Sequence, residues 1–164
     1  MSTAAPDRRD LAGTAVPPPE AAVPPPELAG RLGYLLKHAQ LALAELTAAA
    51  LEPFGLTGRE LAVLTVLASG EPASQQQAAQ RLGVDRTTMV ALVDVLEDKG
   101  LVQRQPHAED RRRNVVELTA QGRDRLQQAG EAAQEAELRF LAPLSRKDAQ
   151  RLKAALLTVI QPGR

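Results

Sequence analysis

The stretch Ser74–Thr119 constrains the fold of this chain more than any other. Ser74 can accept an orphan backbone N–H and so start a short helix, with Ala78 and Leu82 on its inner face. Gly83 suits a tight turn needing positive φ. Asp85 can cap a second helix, in which Met89, Leu92, Val93 and Leu96 recur at i, i+3, i+4 and i+7. Gly100 ends that helix. Two short helices joined through a glycine turn form a helix-turn-helix.

Two short strand-like segments follow, Leu101–Gln105 and Asn114–Leu118, around a polar loop containing Arg111, Arg112 and Arg113. This is the pattern of a β-hairpin with a basic tip, the wing of a winged helix. From Lys99 to Arg113 there are five Lys/Arg against two Asp/Glu. Such a patch can meet phosphates, and its arginines can enter a narrow minor groove. The second helix of the pair is the one that can enter a major groove.

The outer face of that helix, opposite its apolar stripe, carries Arg86, Thr87, Thr88, Val90 and Ala91 near its start, with Asp94 and Asp98 further along. Arg86 can reach a guanine or a phosphate, and the threonines suit phosphates and thymine methyls. Val90 and Ala91 offer no hydrogen bonds, so specificity should lean on methyl contacts and DNA shape. Asp94 and Asp98 would be repelled by phosphates and should face the groove mouth or neighbouring arginines. Gln75, Gln76 and Gln77 either bond phosphates or form a plain solvated face.

Composition narrows the function classes. The 164 residues suffice for one domain with a core, and the 20 basic and 20 acidic residues cancel, so only local clustering points to nucleic acid. Tyr34, Phe54 and Phe140 are the only aromatic residues, too few for stacking single-stranded bases. There is no cysteine, which removes disulfides, thiol nucleophiles, thiolate metal sites and thiol redox sensing. With only His38 and His107, a metal site has little support, and no cofactor is expected. No phosphate-binding glycine loop, triad or metal spacing suggests an enzyme. No apolar run has the length of a membrane span and no signal-peptide core is evident, so a cytoplasmic protein is expected.

In chain order, residues 1–27 form a tail with proline runs at 17–19 and 24–26. It is expected to be a disordered extension, or else a ligand for a proline-recognising domain. Residues 28–164 are expected to form the folded domain. A helix over Leu28–Leu51 carries Leu32, Leu35, Leu36, Ala39, Leu43 and Leu46 on one stripe, weakened early by Gly30 and Gly33. Thr57 with Glu60 forms a capping box for the next helix, which opens a DNA-binding lobe over 57–119. Thr119 caps a long helix to about Leu141, and Ser145 opens a last helix carrying Ala149, Leu152, Leu156, Val159 and Ile160. A monomer would cover the apolar faces of the terminal helices poorly, so residues 28–51 and 120–161 are expected to form a dimer interface. The fold class is mainly α with a small β-wing.

The run Asp85-Arg86-Thr87-Thr88, the phrase from Leu96 to Val102, and Asp110-Arg111-Arg112 with Leu118-Thr119 and Gly122 together resemble the multiple-antibiotic-resistance regulator (MarR) family. The resemblance covers roughly residues 28–160. It implies a homodimeric winged helix-turn-helix regulator of transcription that binds a pseudo-palindromic double-stranded DNA operator. Such a regulator is often a repressor, released by a small ligand or an oxidant. Arg112 matches the family's wing-tip arginine, with Asp110 orienting it and Arg111 and Arg113 available to phosphates. The family commonly has polar or basic residues where this chain has Val90 and Ala91. Family effectors often bind between the dimer helices and the DNA-binding lobe. Tyr34 and His38, four apart on the first helix, are then candidates for a small apolar or phenolic effector, or else ordinary residues at the edge of a helical interface. A winged-helix module that binds protein instead of DNA is the alternative. With no thiol in the chain, peroxide should not release it from DNA in a dithiothreitol-reversible way, which a gel-shift assay with purified protein checks.

Overall fold

The structure is a computed structural model and describes residues 25–69, 73–106 and 114–161. The proline-rich segment up to residue 24 and the wing tip, with Asp110, Arg111, Arg112 and Arg113, lie outside the described residues. The chain divides into two units, Met1–Leu35 and Leu36–Arg164. In the first, Leu28 N and Ala29 N donate to the Pro25 carbonyl in a turn.

The first helix, α1 (Leu32–Leu51), starts later than the Leu28 expected from the leucine stripe. Gly30 accounts for the shift, since glycine raises the cost of a helix's opening turns; Gly33 is carried within the first turn of α1. A 3-10 turn, Glu52–Phe54, closes on Gly55 at φ 63°, a left-handed stop that glycine takes without steric cost. Then come α2 (Gly58–Ala68), β1 (Ala73–Ser74), α3 (Gln75–Leu82), α4 (Arg86–Asp98), β2 (Val102–Pro106), β3 (Asn114–Leu118), α5 (Ala120–Leu141) and α6 (Arg146–Ile160). Within the second unit β3 is the central strand of a three-stranded antiparallel sheet in the order β1-β3-β2, with Arg104 opposite Val116 and Ser74 opposite Val115.

Side-chain caps set five helix starts. Thr57, Ser74, Asp85, Thr119 and Ser145 each accept a backbone N–H three residues on. The core they frame centres on Leu51, Val63, Leu64, Ala78, Met89, Val93, Leu96, Val102 and Val116, all nearly or fully buried. No helix among the described residues is long and apolar enough to cross a membrane.

One charge is buried with this core. Glu60 is 4% exposed. Its Oε2 accepts from Thr57 N at 2.6 Å, closing the capping box. Its Oε1 accepts from Lys99 Nζ at 2.6 Å, and the same ammonium donates to the Gly55 carbonyl at 2.8 Å. Burial works against ionisation, but the Lys99 and Thr57 hydrogen bonds outweigh it and hold the carboxyl below its ordinary value of 4.5.

At this same C-terminal end of α4, Gly100 sits at φ 70° and Leu101 N donates to the Leu96 carbonyl at 2.9 Å. The Leu101 carbonyl accepts from Thr119 N at 3.1 Å. Thr119 Oγ1 donates to the Gly100 carbonyl at 2.7 Å and accepts from Gly122 N at 2.9 Å. A Cβ on Gly122 would overlap the Leu101 carbonyl oxygen and lie 2.9 Å from its carbon. Glycine is therefore required there for close approach of α5 to the root of the wing.

Two stability measurements follow from these contacts. Alanine ordinarily favours a helix over glycine, yet Gly122→Ala should destabilise by about 3 kcal/mol, because the methyl meets backbone that cannot swing aside. Denaturant unfolding reads this directly. Lys99→Met should cost about 1–3 kcal/mol at neutral pH by leaving a buried carboxylate short of a partner. The depressed pKa of Glu60 means its contribution is full above the unfolded value of 4.5 and is lost as pH falls through the lower folded value. The gap between Lys99→Met and the parent protein should therefore close in acid, and urea titrations from neutral pH downward test that.

Candidate nucleic-acid interface

Asp85 builds the leading end of α4. Its Oδ1 accepts from Thr88 N at 2.9 Å and its Oδ2 from Thr88 Oγ1 at 2.6 Å. These two bonds hold the Asp85 carboxyl below the ordinary carboxylate range, so it stays negative where the helix dipole is positive. They also commit the Thr88 hydroxyl proton, leaving that half-buried side chain less able to donate to a phosphate than Thr87. Arg86, Thr87 and Ala91 are exposed and Val90 is half-buried, while Met89, Val93 and Leu96 face the core.

The three glutamines at the start of α3 have separate roles. Gln77 Oε1 accepts from Ser74 N at 2.9 Å, completing a capping box with the Ser-x-x-Gln spacing instead of reaching a phosphate or lying as a plain solvated face. Assigning the Gln75 amide so that its oxygen faces Arg104, the orientation that satisfies both groups, lets it accept from Arg104 Nε at 2.8 Å. Gln76 is exposed.

The basic patch expected over Lys99–Arg113 needs revision. Lys99 is paired with buried Glu60. Arg104 donates through Nη1 to Glu97 and through Nη2 to Asp94. Burial disfavours its charge, but the bond to Asp94 and the nearby negative charges more than offset this, so Arg104 holds its proton more tightly than an ordinary arginine. Two of the five cations are thus answered inside the protein, and the remaining three are Arg111, Arg112 and Arg113. Asp94 faces a neighbouring arginine, one of the two positions expected for it.

On α1, Tyr34 is half-buried and His38 exposed. Among the described residues no group of three His, Cys, Asp or Glu side chains could hold a metal ion.

Helix-turn-helix, central β3 and flanking wing strand form one arrangement, and known proteins share it. The MarR family pattern matches residues 54–113. A protein named as a regulator of the hcr operon of Thauera aromatica is 34% identical over 125 residues, 76% of this chain and 74% of its own length. This chain belongs to the MarR family. Its winged helix also matches the transcriptional repressor CouR bound to a 23-mer DNA duplex, with TM-score 0.79 and 34% identity over 85% of this chain and 99% of that one. CouR from Rhodococcus jostii RHA1 bound to p-coumaroyl-CoA matches with TM-score 0.74 and 28% identity over 84% of this chain and 96% of that one. The family and these relatives are regulators of transcription and not enzymes.

Replacing Asp85 by Ala should leave Thr88 N without its cap and free the Thr88 hydroxyl. A lower midpoint of thermal or urea unfolding is the expected outcome, as for other lost N-caps.

Proposed function

We propose that the protein is a homodimeric, sequence-specific regulator that binds double-stranded DNA, acts as a repressor and is released by a small-molecule effector. The observation that carries the DNA-binding part is the capped α4, presenting exposed Arg86, Thr87 and Ala91 beside a wing whose sequence continues into Arg111, Arg112 and Arg113. The likeness to CouR bound to a DNA duplex supports the same reading. Val90 and Ala91 give the groove methyl groups in place of hydrogen bonds, so the operator should be chosen partly by shape.

Dimerisation is supported by α6, none of whose residues is buried. Leu152, Leu156, Leu157, Val159 and Ile160 are 38–72% exposed, more apolar side chain than a last helix leaves to water without a partner. Two recognition helices in such a dimer would read half-sites about 10 base pairs apart. Release by an effector is supported by the ligand-bound CouR structure, and Tyr34 and His38 are the residues to substitute, one at a time, when a ligand is found.

Arg112→Ala should weaken binding to a duplex selected by the parent protein by about 1–3 kcal/mol, with the chain still folded. Titration at several salt concentrations is the test. If Arg112 meets a phosphate, the slope of log affinity against log salt should flatten by about 1. A parent protein whose DNA affinity ignores salt would favour the protein-binding alternative.

A further inference from the structure

Arg104 has a place that the charge count alone did not suggest. From β2 it reaches two helices: Nη1 donates to Glu97 and Nη2 to Asp94 on α4, and Nε donates to the Gln75 oxygen at the start of α3. Its backbone N–H adds a 3.1 Å bond to Glu97 Oε1. The Arg104 side chain is only 25% exposed, whereas that of Asp94 is 54% exposed. An isolated surface ion pair would contribute little. Here one planar fork satisfies three acceptors at once, which the compact ammonium of a lysine cannot reproduce.

The positions of the two acids give this cluster a meaning for DNA. Asp94 lies three residues after Ala91 and seven after Thr87, so it shares their helix face. On that face an unpaired carboxylate would repel the duplex. Turned onto Arg104, Asp94 is neutralised, and Arg104 in turn has its charge answered before any phosphate arrives. We propose that Arg104 is a positioning residue: it latches the wing and the start of α3 to the recognition helix, and Asp94 and Glu97 keep it from acting as a phosphate ligand. This rests on the DNA-binding reading above.

Specific recognition needs α4 and the wing to engage one duplex in a fixed mutual register, whereas non-specific attraction needs only charge nearby. Loosening the latch should therefore damage the first more than the second. The probes are a duplex selected from random-sequence DNA by the parent protein and a scrambled duplex of the same composition. Arg104→Gln should bind the selected duplex roughly tenfold more weakly and the scrambled one nearly as before, with an unchanged salt slope; Arg104→Lys should fall between. A slope that flattens by about 1 for Arg104→Gln would make Arg104 a phosphate contact and overturn the proposal. So would equal losses on both duplexes, which signal a general loss of folded protein, or no loss at all.

Hydrogen exchange without DNA gives an independent reading. In Arg104→Gln the amides of β2 and β3 should exchange faster, while those of Val63 and Leu64 in α2 should match the parent. Unchanged exchange in the strands would overturn the latch even where DNA binding suffers. A parent protein that selects no duplex at all would overturn the functional reading and the DNA role of Arg104 with it. Faster strand exchange in that case would identify the functional reading as what failed.

Discussion

A carboxylate that is taken out of water must be answered, and Glu60 is the place where this chain meets that demand. The answer comes from Thr57 three residues before it and Lys99 thirty-nine residues after it. Because Lys99 also grips the Gly55 carbonyl, one ammonium gathers the turn after α1, the first turn of α2 and the last of α4. The recognition helix is thereby anchored at its far end, and its leading end is left to Asp85. Arg125 on α5 adds a parallel tie, donating to the Phe54 carbonyl at 2.6 Å, so the long helix is joined to the same turn. Movement of α5 would thus be felt at both the turn before α2 and the root of the wing.

The second organising fact is how the positive charges are distributed. With equal numbers of acids and bases, long-range attraction to a polyanion has no global source. Several cations are occupied in architecture: Lys99 with Glu60, Arg104 with Asp94 and Glu97, and Arg81 with the Val66 carbonyl and Ser69 hydroxyl at the end of α2. Under the proposed function, the cations offered to a phosphate backbone are a smaller set: Arg86 among the described residues and, from the sequence motif, the arginines after Asp110. Affinity would then depend on a few well-placed contacts, which suits the release proposed above.

Local chemistry was legible in the sequence where it is short-range. Thr57, Ser74, Asp85, Thr119 and Ser145 all cap as their spacing suggests, and of the stripe Met89, Leu92, Val93 and Leu96 all but the half-buried Leu92 are buried. The second strand of the hairpin, Asn114–Leu118, falls where alternation and the following Thr119 put it. Less legible were features with no local signature. A two-residue strand, Ala73–Ser74, is visible only through its pairing with β3. The Glu60–Lys99 pair spans 39 residues, and no pattern links its members. Arg104 counted as part of a basic patch because sequence shows charge without showing its partners. The leucine period runs back through Gly30, which lies before the helix, so the sequence pattern alone starts α1 too early. The reading of Arg111, Arg112 and Arg113 rests on the sequence motif, since the wing tip lies outside the described residues.

Gly122 bears on how genetic data for such a regulator should be read. The residue is no candidate DNA or effector contact: its amide bonds Thr119 Oγ1, and its missing side chain lets in the Leu101 backbone. A saturation screen scored by loss of transcriptional control would nonetheless rank it with the recognition residues, because every other amino acid carries the Cβ that does not fit. Intolerance at that codon would record steric exclusion at a joint, and would need to be separated from Arg112 or Arg86 by asking whether the variant protein still accumulates in the cell.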